Sequence, residues 1–595
     1  MRKKLFYFVV TLIIYPYICI GQTIASMDSR PTDVEHWISS HFAQGTVPPF
    51  SFEYGGKPSK EFIKDWAYSA KPLKSDDQHE VRYCYTYQDP AGGLKVDCDV
   101  KGFTDSQAVE WVLHFTNTGS GNTPEIANVC VSDIVFCYDR PGNFRLHYAN
   151  GSFPSKADFA PRLKELTSGE NLYMRPDGGR SSHTAFPFFN IESPSGQGVM
   201  VAIGWTGTWF SDVRCTDAQN IQLKSGIERL KAYLYPKETI RTSSICLLFW
   251  QGDDRMIGHN QFRRFILAHH TRRVDGKPAQ YPFCKGFNYG DPTPCNEYTC
   301  LTADYAIALV KRYKQFKLLP EVFWLDAGWY DQSADVANNK NWANTVGNWT
   351  VDSVRFPEGL KPIADEIHKV GSKFMVWFEP ERVYYGSAWA IEHPEYMLER
   401  PGADACLVNL GNPKACRWMS EYIGDFLEEN NIDYYRQDFN IEPAGFWEAN
   451  DEPGRQGICE IKYIEGLYAF WDYLLERFPN LLIDNCASGG RRLDLETTTR
   501  SAPLWRTDYS YGEPDGYQCH TYGLNFYLPL HGTGAWGVDK YTCRSSLSSA
   551  VTFNWKITEA GVSIYDMRDR QAEFEELRPY FLEDYYHQIT DGDLG

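Results

Sequence analysis

From about residue 23 to residue 275, apolar and polar positions alternate in short runs broken by turn residues, as in EWVLHFTNTGSGN (Glu110–Asn122) and GVMVAIGWTGTWF (Gly198–Phe210). A period of two, punctuated by glycine and asparagine, predicts a large antiparallel β domain, read as a sandwich. At RMIGHNQFRRFILAHHTRR (Arg255–Arg273) the spacing becomes amphipathic and helical, which marks a link to the second half of the chain. Beyond Lys277, strand-like runs alternate with helical ones. Strands are predicted at Phe283–Gly290, Glu321–Trp329, Lys373–Glu381, Asp433–Asn440, Leu481–Gly490 and Pro503–Ser510, with weaker candidates near Leu524–His531 and Gly561–Asp566. Thr302–Phe316, Gly359–Gly371 and Arg417–Asn430 read as helices between them. Such β/α units over residues 276–585 predict a (β/α)8 barrel, whose chemically active groups sit at the C-terminal ends of its strands.

The opening MRKKLFYFVVTLIIYPYICIGQT adds a further element: a basic start, an apolar run to about Cys19, then small and polar residues. This is the pattern of a secretory signal peptide over residues 1–22, and it predicts export to the periplasm or beyond. The apolar run is short for a bilayer span and is interrupted by Pro16, so no stable membrane span is expected once the signal is removed. The chain has 595 residues, 43% of them apolar, enough for two or three domains. Its net charge of −18 repels phosphate backbones, so nucleic acid is not an expected partner. Aromatic residues make up 15%; most fill cores, but aromatic faces also stack on the C–H surfaces of sugars. The sixteen cysteines form no C-x-x-C pair of pairs, and no P-loop, H-E-x-x-H or G-x-G-x-x-G fingerprint is present. Neither metal nor organic cofactor is expected.

The predicted strand ends carry Asp326, Glu379 with Glu381, Asp438 and Asp508. Carboxylates converging on one rim, with aromatic residues around them, fit glycoside hydrolysis, where one carboxylate attacks the anomeric carbon and another protonates the departing oxygen. A carboxylate site for magnesium or calcium is the alternative. In NIDYYRQDFN (Asn431–Asn440) side-chain parity separates two aspartates. Arg436, Asp438 and Asn440 share one face; Asp433 lies on the other, at the strand's start, and reads as a turn or solvent residue. Arg436 beside Asp438 keeps that carboxyl ionised, as a nucleophile requires. Asp508 is less easily placed, since a general acid needs a raised pKa and Arg506 shares its face in a regular strand. Either the strand ends before Asp508 or the nucleophile's charge offsets the arginine; parity does not decide.

The segments WLDAGWY (Trp324–Tyr330), GNWTVDSVRFPEGLKPIADEIHKVGSKFMVWFEPERV (Gly347–Val383), IDYYRQDFN (Ile432–Asn440), NCASGGRRLD (Asn485–Asp494) and WRTD (Trp505–Asp508) resemble, in order and spacing, the retaining α-galactosidases of glycoside hydrolase family 36. GGRSSHTAFPFFNIES and VAIGWTGTW resemble that family's N-terminal β-supersandwich. The resemblance implies Asp438 as nucleophile and Asp508 as acid/base. It implies substrate contacts from Asp326, Trp377, Arg436, Asn440, Cys486, Ser488, Arg492 and Asp494, with Tyr289 in the place of a family tryptophan. Glu379 and Glu381 are read as buttresses of the rim. The departures are Ala327 for a second aspartate, Arg436-Gln437 for Lys-Trp and Ser488 for glycine. The expected activity is hydrolysis of terminal α-D-galactosyl residues of oligo- or polysaccharides by double displacement. The alternatives are the same chemistry on a β-L-arabinopyranoside or an α-N-acetylgalactosaminide, or a non-catalytic carbohydrate-binding protein. Association into a homo-oligomer is left open. The family's C-terminal β domain is expected to be missing or truncated, residues 586–595 forming the end of the chain.

Overall fold

The structure, a computed structural model, describes residues 34–287, 300–332, 341–557 and 561–587. Two antiparallel sheets occupy its N-terminal half. The larger has nine strands in the order Ala67–Leu73, Glu80–Gln88, Leu94–Phe103, Ala108–Asn117, Thr239–Gln251, Gln197–Gly204, Phe188–Glu192, Phe144–Ala149, Pro161–Leu166. Alternation is clean in Leu94–Phe103, where Leu94, Val96, Cys98 and Val100 are buried and the residues between them are partly exposed; one face meets the core and the other meets solvent. The second sheet is built around Ile126–Cys137, which pairs with Ser51–Tyr54, Asn220–Ile227 and Lys231–Ala232. Its outlying strand Lys231–Ala232 also pairs with Arg455–Gln456, so one sheet ladder crosses from the first half of the chain into the second.

The linking helix is Met256–His269. Phe262, Phe265 and Ile266 recur at helical spacing and bury its inner stripe in a cluster with Phe103, Phe188 and Met200 of the nine-stranded sheet. That cluster also takes in Leu524, Phe526, Tyr527 and Leu528 from far down the chain.

Seven parallel strands form the second half, ordered Leu482–Asn485, Tyr434–Gln437, Lys373–Phe378, Val322–Leu325, Phe283–Gly286, Ala550–Phe553, Gly532–Ala535. Between the two ends of this ladder lies the segment 502–507, which bonds to both neighbours. Ala502 N–H donates to Ile483 O (2.8 Å), Gly532 N–H to Pro503 O (2.8 Å) and Arg506 N–H to Gly532 O (2.9 Å). It takes the sixth position of an eight-membered ring without forming a regular strand. Helices such as Ala303–Gln315, capped by Thr302, and Pro413–Glu429, capped by Asn412, pack outside.

The last two strands lie elsewhere than the hydrophobic pattern predicts. Leu524–His531 follows the helix Pro514–Leu524 as a turn whose apolar side chains seal the junction with the β domain. The seventh strand is Gly532–Ala535, a run of small residues without a hydrophobic signature. Small side chains are required there, because a Cβ on Gly534 would lie 2.7 Å from the Trp505 ring and one on Gly532 2.8 Å from Ala550. The eighth is Ala550–Phe553, and Gly561–Asp566 instead runs into the helix Ile564–Leu577, capped by Ser563. Among the described residues, no helix is long and apolar enough to cross a membrane.

Candidate active site

The fourth barrel strand, Tyr434–Gln437, shows what parity does. Tyr435 and Gln437 point to the helix layer, where Gln437 accepts from Trp471 Nε1 (2.6 Å) and donates to Glu381 (2.6 Å). Arg436 points inward, stacks over Trp324 at 4.2 Å and forms an ion pair with Asp484, its register partner on strand five. Asp484 in turn accepts from Leu504 N–H (2.9 Å). This arginine is clamped between the Trp324 ring and Asp484. At the strand's start, Asp433 accepts from Phe374 N–H (2.8 Å) and meets His368 (2.7 Å); it is a structural residue at the opposite end from the rim.

Asp438 stands one residue beyond the strand, its own N–H donated to Phe378 O (2.8 Å). Its carboxylate accepts from Phe439 N–H (2.8 Å), Asn440 Nδ2 (2.9 Å), Ser488 N–H (3.1 Å) and Trp377 Nε1 (3.2 Å). Burial alone would push the carboxyl up; the Arg436 charge, with the Asn440, Ser488 and Phe439 donors, more than reverses this and holds it below its ordinary value. Asn440 is itself fixed, since its N–H and Nδ2 donate to Glu379 (2.6 and 3.0 Å) and its Oδ1 accepts from Ser488 Oγ (2.8 Å). Glu379 is fully buried and pairs with Arg382 at 2.7 Å.

Asp508 follows the irregular sixth segment, and its Oδ1 accepts from Trp505 Nε1 (3.0 Å). Burial first, and then the negative charge of Asp438, raise its carboxyl to about 6, against weaker opposition from Arg436 and Arg491. Arg506 does not face it: that guanidinium is buried and donates to His531 Nδ1 (2.9 Å), Tyr517 O (3.0 Å) and Thr521 Oγ1 (2.7 Å). Of the two branches left open by parity the first applies, because the segment is not a regular strand and Arg506 is turned away; the Asp438 charge adds to the rise of Asp508 without an Arg506 charge to offset.

The other expected residues separate into two groups. Asp326 ends strand two, buried, accepting from Ala327 N–H (2.7 Å), and its charge reaches Arg436. Cys486 lies under the loop after strand five, its Sγ accepting from Gly489 N–H (3.2 Å), with burial pushing the thiol well up. Ser488 occupies the left-handed region (φ 53°), unusual for a residue with a Cβ. These three join Trp377, Arg436 and Asn440 around the carboxylates. Arg492 and Asp494 lie further along the same loop. Arg492 donates to Glu381 (2.5 Å) and lies over Phe439 and Trp471. Asp494 caps the helix Leu495–Arg500 and accepts from Ser181 Oγ (2.7 Å). These contacts hold both side chains to neighbouring protein groups, and the charge of Asp438 reaches Arg492. Glu381 belongs with them, held by Gln437, Arg492 and Tyr463. Tyr289 lies outside the described residues. Among the described residues, no three or more His, Cys, Asp or Glu converge as a metal-binding group.

The β domain supplies a residue that sequence reading passes over. Arg180, 2% exposed, reaches across to donate to Phe439 O (3.2 Å), Ser488 Oγ (3.3 Å) and Ala487 O (3.5 Å). Gly178 and Gly179 before it (φ 65° and 88°) turn the chain where a Cβ would strike Glu442 and Trp447. The signal was the GGRSS motif, read only as a marker of the fold. Asp484 was also legible, as the inward position of strand five opposite Arg436.

Residues 290–512 match the Melibiase family model. The chain is 27% identical over 344 residues to the α-galactosidase Mel36A of Lactobacillus acidophilus, covering 56% of this chain and 45% of that protein. It is 26% identical over 399 residues to an α-galactosidase of Escherichia coli, covering 64% and 52%. The chain thus spans about half the length of these curated relatives. In fold it is similar to the α-galactosidase AgaA of Geobacillus stearothermophilus solved with raffinose (TM-score 0.76, 16% identity, 92% of this chain and 78% of that one). It is also similar to the Lactobacillus brevis α-galactosidase (TM-score 0.75, 18% identity, 90% and 74%).

Proposed function

Since the chain belongs to the melibiase family of glycoside hydrolase family 36 α-galactosidases, we propose that it is an exported retaining α-galactosidase in which Asp438 is the nucleophile and Asp508 the acid/base. The observation that carries this reading is the opposite bias of two carboxyls on one rim: Asp438 is held ionised by Arg436 and four hydrogen-bond donors, while Asp508 is raised to about 6 by burial and by Asp438 itself. Export rests on the basic and apolar opening of the sequence.

In the first step protonated Asp508 gives its proton to the glycosidic oxygen while an Asp438 oxygen attacks C1 from the opposite side. The C1–oxygen bond of the leaving group breaks and a β-linked glycosyl-enzyme forms. Asp508, now a carboxylate, removes a proton from water as that water attacks C1; the ester bond to Asp438 breaks, and the sugar leaves with net retention. Trp377, Asn440 and Ser488 N–H hold the attacking carboxylate in line, and Asp326 and Arg436 stand where sugar hydroxyls can be bound.

The test is the first-formed anomer from an aryl α-galactoside, followed by NMR, together with azide rescue of Asp508→Ala. Retention and an α-galactosyl azide product are expected. A β-configured first product, or near-normal turnover by Asp438→Asn, refutes the mechanism. One observation favours a second reading of the sugar: Ala327 is buried beside Asp326 and offers no side-chain acceptor. Activity on a β-L-arabinopyranoside or an α-N-acetylgalactosaminide in place of the galactoside would establish it, leaving the carboxylate roles intact.

A further inference from the structure

The rim beside Asp508 carries an aromatic group that the two-carboxylate chemistry leaves unused. Tyr511, three residues on, is 54% exposed, unlike most of the large apolar side chains around it. It is nevertheless held. Its ring centroid lies 5.9 Å from Trp505 and 5.5 Å from Trp536, tilted 49° and 36° to them. Gly512 (φ 91°) follows, and a Cβ there would lie 3.0 Å from Trp536 Cβ, so the chain turns directly against the indole. Gly512 N–H donates to Tyr517 Oη (3.3 Å), which pins that turn to the helix Pro514–Leu524.

Two independent relations tie this ring to the reacting bond. Trp505, against which it packs, is the indole that donates to Asp508. Trp536 directly follows the seventh strand, Gly532–Ala535, so the group is assembled from the C-terminal ends of neighbouring barrel positions six and seven. The Tyr511 phenol is pushed up by burial and then by the charges of Asp508, Cys486 and Asp326, so it lies within electrostatic reach of the acid and of the sugar pocket together. A general acid touches the oxygen joining the two halves of its substrate. Whatever is bonded to the far side of that oxygen therefore emerges next to Asp508. An aromatic ring held in place with a free face offers the C–H surface of a pyranose a stacking partner at little ordering cost, because the ring is already fixed.

We propose that Tyr511, backed by Trp536 and Trp505, is the residue on which the leaving-group sugar stacks beside the acid/base. The proposal rests on the reading of Asp508 as the acid/base. Its measure is the ratio of kcat/KM for melibiose, whose leaving group is glucose, to kcat/KM for α-galactosyl fluoride, whose leaving group has no ring. Tyr511→Ala is expected to lower that ratio about tenfold, mainly through KM for melibiose, as loss of one stacked ring would. Tyr511→Leu, which keeps bulk against Trp536 without a π face, is expected to lower it similarly. Tyr511→Phe is expected to restore it. Phe153→Ala removes another strongly exposed ring, 61% accessible and stacked on His183 in the β domain, and is expected to leave the ratio alone. An unchanged ratio in Tyr511→Ala, an equal loss on both substrates, or a fall only in Phe153→Ala overturns the platform while the hydrolase reading stands. A wild-type protein inert toward both substrates overturns the hydrolase reading, and the platform with it.

Discussion

Replacing Arg436 by methionine separates an electrostatic role from a merely steric one. Arg436 is buried between Asp484 and the Trp324 ring, and its charge acts on both candidate catalytic carboxyls. It is the leading influence that lowers Asp438, and it also opposes the rise of Asp508. With the proposed roles, wild-type activity is expected to rise with pH as Asp438 ionises and to fall as Asp508, raised to about 6, loses its proton. A displacement from 3.8 to about 6 corresponds to roughly 3 kcal/mol in favour of the neutral acid. It leaves about one molecule in ten correctly protonated at pH 7. Without the guanidinium both carboxyls move up, so both limbs of the kcat/KM profile shift to higher pH. The variant then retains more than that tenth of its own maximum at pH 7, although its maximum is lower. Asp484, fully buried, loses its partner, which costs about 3–5 kcal/mol of stability; the double variant Arg436→Met/Asp484→Asn recovers most of it. The assay is kcat/KM on an activated α-galactoside between pH 3 and 8, with thermal unfolding of the same variants. Limbs that stay in place while activity falls would refute the electrostatic argument and leave Arg436 a packing residue.

Arg180→Ala removes donors from Phe439 O, Ser488 Oγ and Ala487 O in a buried seam; a loss of roughly 3 kcal/mol and a fall in kcat of about tenfold are expected, partly restored by lysine, as read by denaturation and steady-state kinetics. Ser488→Gly relieves a left-handed backbone by about 1 kcal/mol but deletes the hydroxyl contacts with Asn440 and Arg180. Stability should stay within about 1 kcal/mol of wild type while kcat drops, because the Asn440 amide is freed from Asp438; an unchanged kcat would exclude that relay. Asp494 is raised by burial to about 6, above its unfolded value, so its ionisation penalises the folded state. Its own contribution to stability is therefore full below the unfolded pKa near 4 and is lost as pH rises through about 6, by up to roughly 3 kcal/mol. Asp494→Asn, which keeps the helix cap, should match wild type at pH 4 and exceed it at pH 7 in urea titrations.

The parts of the molecule legible in the sequence are those where one periodicity rules one element. The alternation of Leu94–Phe103 and the apolar runs of barrel strands two to five are visible because each faces a single environment along its length. Strand seven was not legible, because GTGA is selected by the bulk of Trp505 and by Ala550, neither of which is near it in sequence. The apolar run Leu524–Leu528 misled for the related reason that its burial is against the β domain rather than in a sheet. At the site, parity separated Asp438 from Asp433, and the structure places them at opposite ends of one strand. Parity failed at Asp508 because segment 502–507 keeps ladder bonds without keeping the pleat. Arg492 and Asp494 share their loop with Cys486 and Ser488, and nothing near them in sequence signals the contacts they make with Glu381 and Ser181, because both partners are distant in the chain.

That seam and the active-site wall are one structure. Ser182 Oγ donates to Gly490 O (2.7 Å) and accepts from Leu493 N–H (2.8 Å), Ser181 holds Asp494, and Arg180 holds Ser488. The β-domain turn around Asp158 accepts from Thr507 Oγ1 (2.9 Å), the residue before Asp508. Every loop that presents a donor to Asp438 from strand five, or carries Asp508 from position six, is thus fastened to residues of the N-terminal sheets. Burial is the first cause of the rise of Asp508, and the Ser488 N–H is one cause of the depression of Asp438. The divergence of the two carboxyls therefore depends on the β domain as well as on the barrel. In this chain the barrel strands deliver the carboxylates to the rim, and Arg180, Ser182 and Asp158 of the β domain hold the loops that bury Asp508 and aim the Ser488 N–H at Asp438.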